Sequence, residues 1–368
     1  MWRAIGLMSG TSLDGVDAAW IETDGVRVAR FGERVTLSYE DGLRRRLRTI
    51  LDRAAALEPD DPELKAVEAE LTERHAEAVL AVGTPADVIG MHGQTILHRP
   101  SERKTWQIGD ARLLARRTGL PVVHDFRAAD VAAGGEGAPL APVFHAALAA
   151  GLARPLAVLN IGGVANVTWI GPQGQLVAFD TGPGNGPLDD WARRTTGRSR
   201  DENGALARAG RVAQAVLERL LADPYFARPA PKSLDRLSFS ARLAESGLEA
   251  LSPEDGAATL VAFTARAVAM AALPAPPLRW LVAGGGRRNP ALMLALTRAL
   301  DARVDPVEAV GWDGDALEAQ CFGFLAARSL ARLPLSFPGT TGVSHPLTGG
   351  RLARPDEPGE MRQNQDRG

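Results

Sequence analysis

Ile5-Gly-Leu-Met-Ser-Gly-Thr-Ser-Leu-Asp-Gly-Val-Asp17 is an apolar run that breaks into glycines and hydroxyls and then turns apolar again, which reads as strand, tight turn, strand. Gly6, Gly10 and Gly15 let the backbone take positive φ or come close to a ligand, while Thr11 and Ser12 add hydroxyl donors beside exposed N–H groups. Such a turn can hold a phosphate. Asp14 and Asp17 oppose direct anion binding unless a divalent cation sits between, so the turn points to a metal–nucleotide complex. It equally fits a Gly-rich hairpin with capping side chains, because short Gly/Ser turns recur widely.

Outward from this turn, Val16 to Ile21 continues as a strand, Asp24-Gly25 signals a hairpin, and Val26 to Val35 returns. Roughly half the chain later the order repeats. Leu156 to Leu159 is a strand, Asn160-Ile-Gly-Gly163 a turn, Val164 to Ile170 a strand, Gly171-Pro-Gln-Gly174 a turn and Gln175 to Phe179 a strand. The repetition predicts a duplication: two similar α/β lobes with both glycine turns on one cleft, each gripping part of a polyphosphate. Coincidence between two common hairpin patterns is the alternative. A third turn follows the strand Leu278 to Ala283, where Gly284-Gly-Gly286 leads to Asn289-Pro290, an N-cap and first helical position for a helix to Leu300. Bare backbone there accepts a flat ring or a ribose.

At 368 residues and 45% hydrophobic content the chain can fill two packed domains. With 42 Lys and Arg against 44 Asp and Glu, the net charge of −2 supplies no field to recruit nucleic acid or anionic lipid, which leaves a small-molecule partner. The lone Cys321 excludes an internal disulfide framework and a cysteine zinc cluster, and reads as a small buried residue. Ser9 to Asp14 interrupt any secretory apolar region, and the apolar stretches Val143 to Leu159 and Ala257 to Leu273 carry His145, Arg154 and Arg266 and fall short of a membrane span. The expectation is a cytoplasmic protein with no membrane and no nucleic-acid partner. No G-x-x-x-x-G-K-[ST], G-x-G-x-x-G or G-x-S-x-G occurs, which argues against a P-loop NTPase, a dinucleotide enzyme and a nucleophile-elbow hydrolase.

Asp180 follows an apolar strand and precedes Thr181-Gly-Pro-Gly-Asn-Gly186. A carboxylate there can take a proton from an attacking hydroxyl or water, as phosphoryl transfer requires, or can simply cap the turn. Asp189 and Asp190 read as caps for a helix through Trp191 to Arg194. Ala86 to Met91 reads as a strand delivering His92-Gly93-Gln94-Thr95 at its C-terminal end, where open α/β sheets present ligand contacts. His92 can bind or shuttle a proton there, or act only as a hydrogen-bonded turn residue, and no second histidine lies at metal-ligand spacing. Arg127 is a carboxylate clamp or an ion-pair partner of Asp125 or Asp130. Glu318, among apolar neighbours in a helical stretch from Asp313 to Leu333, is either paired in the core or turned to a polar ligand.

Through these residues taken together the chain resembles the anhydro-N-acetylmuramic acid kinase family of the sugar-kinase, Hsp70 and actin superfamily. The matching runs are Gly6 to Asp17, His92-Gly-Gln-Thr95, Gln107-Ile-Gly-Asp110, Asp125-Phe-Arg127, Gly137-Ala-Pro-Leu140, Asn160-Ile-Gly-Gly163, Asp180-Thr-Gly-Pro-Gly-Asn185 and Gly284-Gly-Gly286. The resemblance implies an α/β, two-lobed, duplicated RNase H-like fold of the actin/hexokinase type with an ATP cleft between the lobes. Residues 1–130 and a C-terminal segment from about 340 to 368 would form the first lobe, and 131–339 the second. It implies ATP-dependent opening of the 1,6-anhydro ring of 1,6-anhydro-N-acetylmuramate with phosphorylation at O6, in cell-wall recycling. By that likeness Asp180 activates the attacking water. Gly10, Thr11, Ser12, Leu13, Asp14, Gly15, Val16 and Asp17 bind ATP, together with Gly162, Gly163, Gly284, Gly285, Gly286 and Asn289. His92, Gly93, Arg127 and Glu318 bind the sugar, Mg2+ accompanies ATP with Asp14 reaching it through water, and the protein is a homodimer. Two departures stand out: Glu136 replaces the family's usual Gln in its Gly-Gly-Gln-Gly run, and Leu234-Asp235-Arg236 replaces the usual small Thr-Gly after Lys232-Ser233. The rival readings are a nucleotide-driven binding module like the actin and Hsp70 relatives, and a kinase for another amino sugar.

Overall fold

The computed structural model describes residues 1–10, 13–234 and 239–356, so Thr11 and Ser12 of the opening turn and Asp235 and Arg236 lie outside the described residues. By contacts the chain divides into two units. The first contains Met1–Ala133, Glu318–Leu335 and the described residues from Leu347, and the second Gly134–Leu317 with Ser336–Pro346.

In the first unit β1 (Trp2–Ser9), β2 (Gly15–Thr23) and β3 (Val28–Ser38) form an antiparallel meander. Its second turn is closed by Asp24, whose carboxylate accepts from the N–H groups of Val26 and Arg27. β4 (Val88–Arg99) runs parallel beside β1, β5 (Lys104–Ile108) folds back antiparallel on β4, and β6 (Val122–His124) lies parallel on β4's far side. The helix Pro62–Val82 has Asp61 as N-cap, accepting from Leu64 N–H at 3.0 Å, and stops at Gly83 in the left-handed region. Its buried Leu64, Val67 and Leu71 join Trp20, Ile5 and Ile89 in one core.

His92-Gly-Gln-Thr95 does not follow a strand, as the sequence suggested; it lies inside β4. The strand pairs with β1 as far as Gln94, opposite Ser9, with a register shift after Met91; it bends at Gly93 (φ +74°), and from Gln94 its other edge pairs with β5. A side chain at Gly93 would also sit 2.6 Å from the Ile108 carbonyl oxygen, so the bend against β5 requires glycine.

In the second unit β7 (Leu156–Ile161), β8 (Val164–Ile170) and β9 (Leu176–Pro183) form another antiparallel meander, with β10 (Arg279–Ala283) parallel to β7 and β11 (Arg303–Pro306) parallel to β10. Its core includes Phe179, Trp191 and the mutually packed rings of Phe226, Phe239 and Phe263. Asp180 lies within β9 rather than beyond it, and the next helix begins at Gly186, so Asp189 sits in its first turn instead of capping it.

The order β3-β2-β1-β4-β6 in one sheet and β9-β8-β7-β10-β11 in the other is the same arrangement with the same strand directions. This is a duplicated RNase H-like α/β fold. A short last strand, β12 (Arg351–Ala353), pairs antiparallel with β6.

The sequence placed residues 318–335 with the second half, whereas their contacts are with the first unit. The cause is a pair of glycines. Gly6 and Gly90 face each other across β1 and β4, and the backbone of the helix Leu317–Leu330 rests on them. A Cβ would stand 1.7 Å from the Ala319 oxygen at Gly6 and 2.0 Å from the Phe322 oxygen at Gly90. No helix among the described residues is long and apolar enough to cross a membrane.

Candidate active site

In the second unit the glycine turns gather at one end of the sheet. Gly162 and Gly163 join β7 to β8; their carbonyls accept from the N–H groups of Asn185, Gly184 and Gly186, which follow β9. Gly284 (φ +72°) follows β10 against Asn160 and Ile161, the neighbours that the β7–β10 pairing supplies. The structure therefore brings 160–163, 183–186 and 284–286 together. Gly163 is exposed with nothing within 4 Å of its Cβ position, and Gly285 is exposed as well, so both present open backbone. Gly286 is different: it is buried, and a Cβ there would meet Ile161 at 2.6 Å, which makes it a packing glycine. Asn289 caps the helix Pro290–Ala299, its side-chain oxygen accepting from Ala291 and Leu292, and it is buried.

Asp180 is half-buried on β9, opposite Asn166 of β8 and three residues before the strand's end at these turns. One carboxylate oxygen, Oδ2, accepts from Leu234 N–H at 2.7 Å. Its own N–H donates to the Lys232 carbonyl at 3.0 Å, and its carbonyl accepts from the Tyr225 phenol at 2.5 Å. An N–H bond to a carboxylate stabilises the ionised form, which is the form a general base needs. Burial first, and then the nearby Asp180 charge, push the Tyr225 phenol far up, so it remains a donor. Glu136, where the family pattern has Gln, accepts from the Ser233 hydroxyl at 2.6 Å, so the extra carboxylate is pinned to the residue before Leu234.

In the first unit the opening turn is tied by Leu13 (φ +59°), whose N–H donates to Gly10 and whose carbonyl accepts from Arg44 Nε at 3.1 Å. Leu13 and Val16 are buried and can offer a ligand only backbone. A Cβ at Gly15 would strike the Leu37 oxygen at 2.2 Å, so that glycine serves the β2–β3 pairing. Asp17 accepts from the Thr36 hydroxyl at 2.6 Å, while Asp14 is exposed. Among the described residues no group of three or more His, Cys, Asp or Glu could hold a metal. A magnesium ion arriving with ATP keeps most of its ligands from phosphate and water, and an exposed carboxylate such as Asp14 suits that chemistry.

The four sugar-site candidates also converge within the first unit. His92 Nδ1 faces its neighbour's carbonyl, Gly93 O, at 2.7 Å, and Arg127 Nε donates to His92 Nε2 at 3.0 Å. Both contacts are satisfied by one state, a neutral ring protonated on Nδ1. Burial, then the Arg127 charge, hold the His92 pKa well below its ordinary value, in keeping with that state. The His92 ring packs on Phe322 at 4.5 Å between centroids. Glu318 is exposed in the first turn of the same helix, and both it and Arg127 act electrostatically on Cys321. Cys321 is buried, which pushes its thiol far up and leaves it inert. A cavity of about 330 Å³ opens beside His92 and Gly93, and Thr105, Gln107 and Asp125 add polar groups to its wall. These three were absent from the sequence candidates, although Gln107 and Asp125 stand in runs that matched the family.

The model of the family described as anhydro-N-acetylmuramic acid kinase matches residues 2–354. The chain belongs to the anhydro-N-acetylmuramic acid kinase family. An anhydro-N-acetylmuramic acid kinase of Acidiphilium cryptum is 69% identical over 353 residues, covering 96% of this chain and 98% of that one. Those of Gluconobacter oxydans and Rhodospirillum rubrum are 60% and 59% identical, covering 95% and 94% of this chain and 99% and 93% of theirs. The match spans both halves of the duplication, so the glycine turns and Asp180 fall inside the family's own extent.

The His92–Arg127 pair predicts a separable defect. Arg127→Met should raise KM for the sugar at least about tenfold, as loss of a charge-assisted contact does, and leave KM for ATP nearly unchanged. Steady-state kinetics with each substrate varied in turn check this, and an unchanged sugar KM would remove Arg127 from the sugar site.

Proposed function

We propose that the chain is an ATP-dependent kinase that opens the 1,6-anhydro ring of 1,6-anhydro-N-acetylmuramate with water and phosphorylates O6, yielding N-acetylmuramate 6-phosphate and ADP. The observation that carries the reading is Asp180, a carboxylate held by a backbone N–H close to a set of glycine turns, in a chain of this family. Asp180 takes a proton from water as that water's oxygen bonds to the anomeric carbon. The C1–O6 bond breaks, its electron pair stays on O6, and O6 bonds to the γ-phosphorus as the bond to the β-phosphate oxygen opens.

In this reading Arg127 meets the substrate carboxylate, with His92 and Gly93 setting its direction, and Glu318 accepts from sugar hydroxyls. The turn Gly10 to Asp17, Thr11 and Ser12 included, and Gly162 and Gly163 hold the phosphates; Gly284 to Gly286 and Asn289 hold the nucleoside. Mg2+ screens the phosphates, with Asp14 reaching it through water. The family likeness supports a homodimer working in the cytoplasm in peptidoglycan recycling.

The purified chain with ATP, magnesium and 1,6-anhydro-N-acetylmuramate in H2(18)O should give a 6-phosphosugar carrying the label on C1. Intact anhydro-sugar under conditions where ATP is bound would overturn the reading. Preferred phosphorylation of another amino sugar would replace the substrate.

A further inference from the structure

Lys232 has no part in the chemistry just described, yet it is 7% exposed. Burying an ammonium carries a cost that must be met by its contacts. Its Nζ donates to the carbonyls of Tyr225 at 3.0 Å and Phe226 at 3.3 Å, and stands 4.5 Å from the centroid of the Tyr225 ring. Burial, and then the charge of Arg228, lower its pKa.

These contacts close a cycle. Lys232 Nζ fixes the Tyr225 main chain, the Tyr225 phenol donates to the Asp180 carbonyl, and the Asp180 N–H donates to the Lys232 carbonyl. Two residues further on, Leu234 N–H donates to Asp180 Oδ2. The cation thus ties one end of a ten-residue strap, Tyr225 to Leu234, to the other, and the strap bonds Asp180 at both its backbone groups and at one carboxylate oxygen. The bonds to Asp180 reach across 45 and 54 residues of sequence, and the Lys232 fastening, the buried ring of Phe226 and the bond from Ser233 to Glu136 together hold the strap.

We propose that Lys232 is a positioning residue for Asp180: its buried ammonium closes the strap that aims the carboxylate and supplies the N–H that keeps it ionised. The proposal rests on Asp180 being the general base. Among the described residues, the charged and titratable groups that bear on this centre include Tyr225, Arg228 and Lys232 of the strap, Glu136 bonded to Ser233, and, on the helix Pro142–Leu148 packed against the sheet, His145, which is buried and bonded to Thr168.

Lys232→Met should lower kcat about ten- to a hundredfold, the scale on which a small misplacement of a reacting group acts, with KM for ATP within about twofold. The acid limb of the kcat–pH profile should move to higher pH, because a carboxylate that loses an N–H bond is protonated more easily. Lys232→Arg, which keeps a cation able to reach both carbonyls, should recover most of the loss. If Lys232→Met does not fold, Tyr225→Phe removes only the phenol donor and should shift kcat and the acid limb in the same direction. Wild-type kcat with an unmoved acid limb, in either variant, overturns the proposal, as does a fall in kcat with the limb unmoved. Asp180→Asn run alongside separates the two levels: an active Asp180→Asn refutes the general base itself, whereas an inactive one beside an unaffected Lys232→Met refutes only the strap.

Discussion

Asp180→Asn should lower turnover of 1,6-anhydro-N-acetylmuramate by about three orders of magnitude or more, the upper range of what a positioned base supplies. The substitution is chosen for what it preserves. An amide has nearly the same volume, its oxygen can still accept from Leu234 N–H, and the bonds from Asp180's backbone to Lys232 and Tyr225 do not involve the side chain. The strap therefore stays closed, and only the capacity to take a proton is lost. ATP affinity, read by calorimetry, should change by no more than about twofold, and the melting temperature by a few degrees at most. Loss confined to kcat identifies an interaction made in the transition state. A comparable loss of ATP affinity would instead make Asp180 a nucleotide ligand, and near-normal turnover would end its role in the chemistry.

Much of this site is legible in the sequence because its elements are local. Each meander is announced by apolar runs of strand length divided by glycine turns, and Asp61-Pro62 and Asn289-Pro290 mark their helix starts by cap chemistry that three or four residues complete. What was misread depends on partners distant in the chain. Gly93 looks like the end of a strand because nothing nearby says that β5 will pair with β4 beyond it, where the pairing with β6 has already ended. Arg127 reads as either a clamp or an ion-pair partner because its neighbours Asp125 and Asp130 are all the sequence shows, whereas its Nε donates to His92, 35 residues away. Pro224, Pro229 and Pro231 leave the stretch before Leu234 with no strand or helix period, and that it closes over Asp180 follows only from the burial of Lys232 against Tyr225. The apolar neighbours of Glu318 leave open both a core pairing and a polar ligand; the helix buries those neighbours and leaves Glu318 exposed.

That helix carries the second large effect. Gly90→Ala should destabilise the protein by more than about 3 kcal/mol, beyond what overpacking usually costs, because the added Cβ meets a backbone carbonyl and not the movable end of a side chain. At 2.0 Å from the Phe322 oxygen the methyl group leaves no choice but to lift the helix Leu317–Leu330 or spread β1 from β4. Either motion opens the contacts of Phe324 and Leu325, both fully buried, and the seat of Phe322 against His92. Gly6→Ala, aimed at the next turn of the same helix with 1.7 Å to the Ala319 oxygen, should act in the same way. Gly42→Ala is the control. Gly42 is exposed in the helix Asp41–Arg53 with nothing within 4 Å of its Cβ position, and alanine there should stabilise by up to about 1 kcal/mol. Urea unfolding of the three variants gives the comparison directly, provided the slope with denaturant stays constant. If Gly90→Ala unfolds at the wild-type midpoint, the helix does not rest on that pair of glycines, and the assignment of 318–335 to the first unit loses its physical cause.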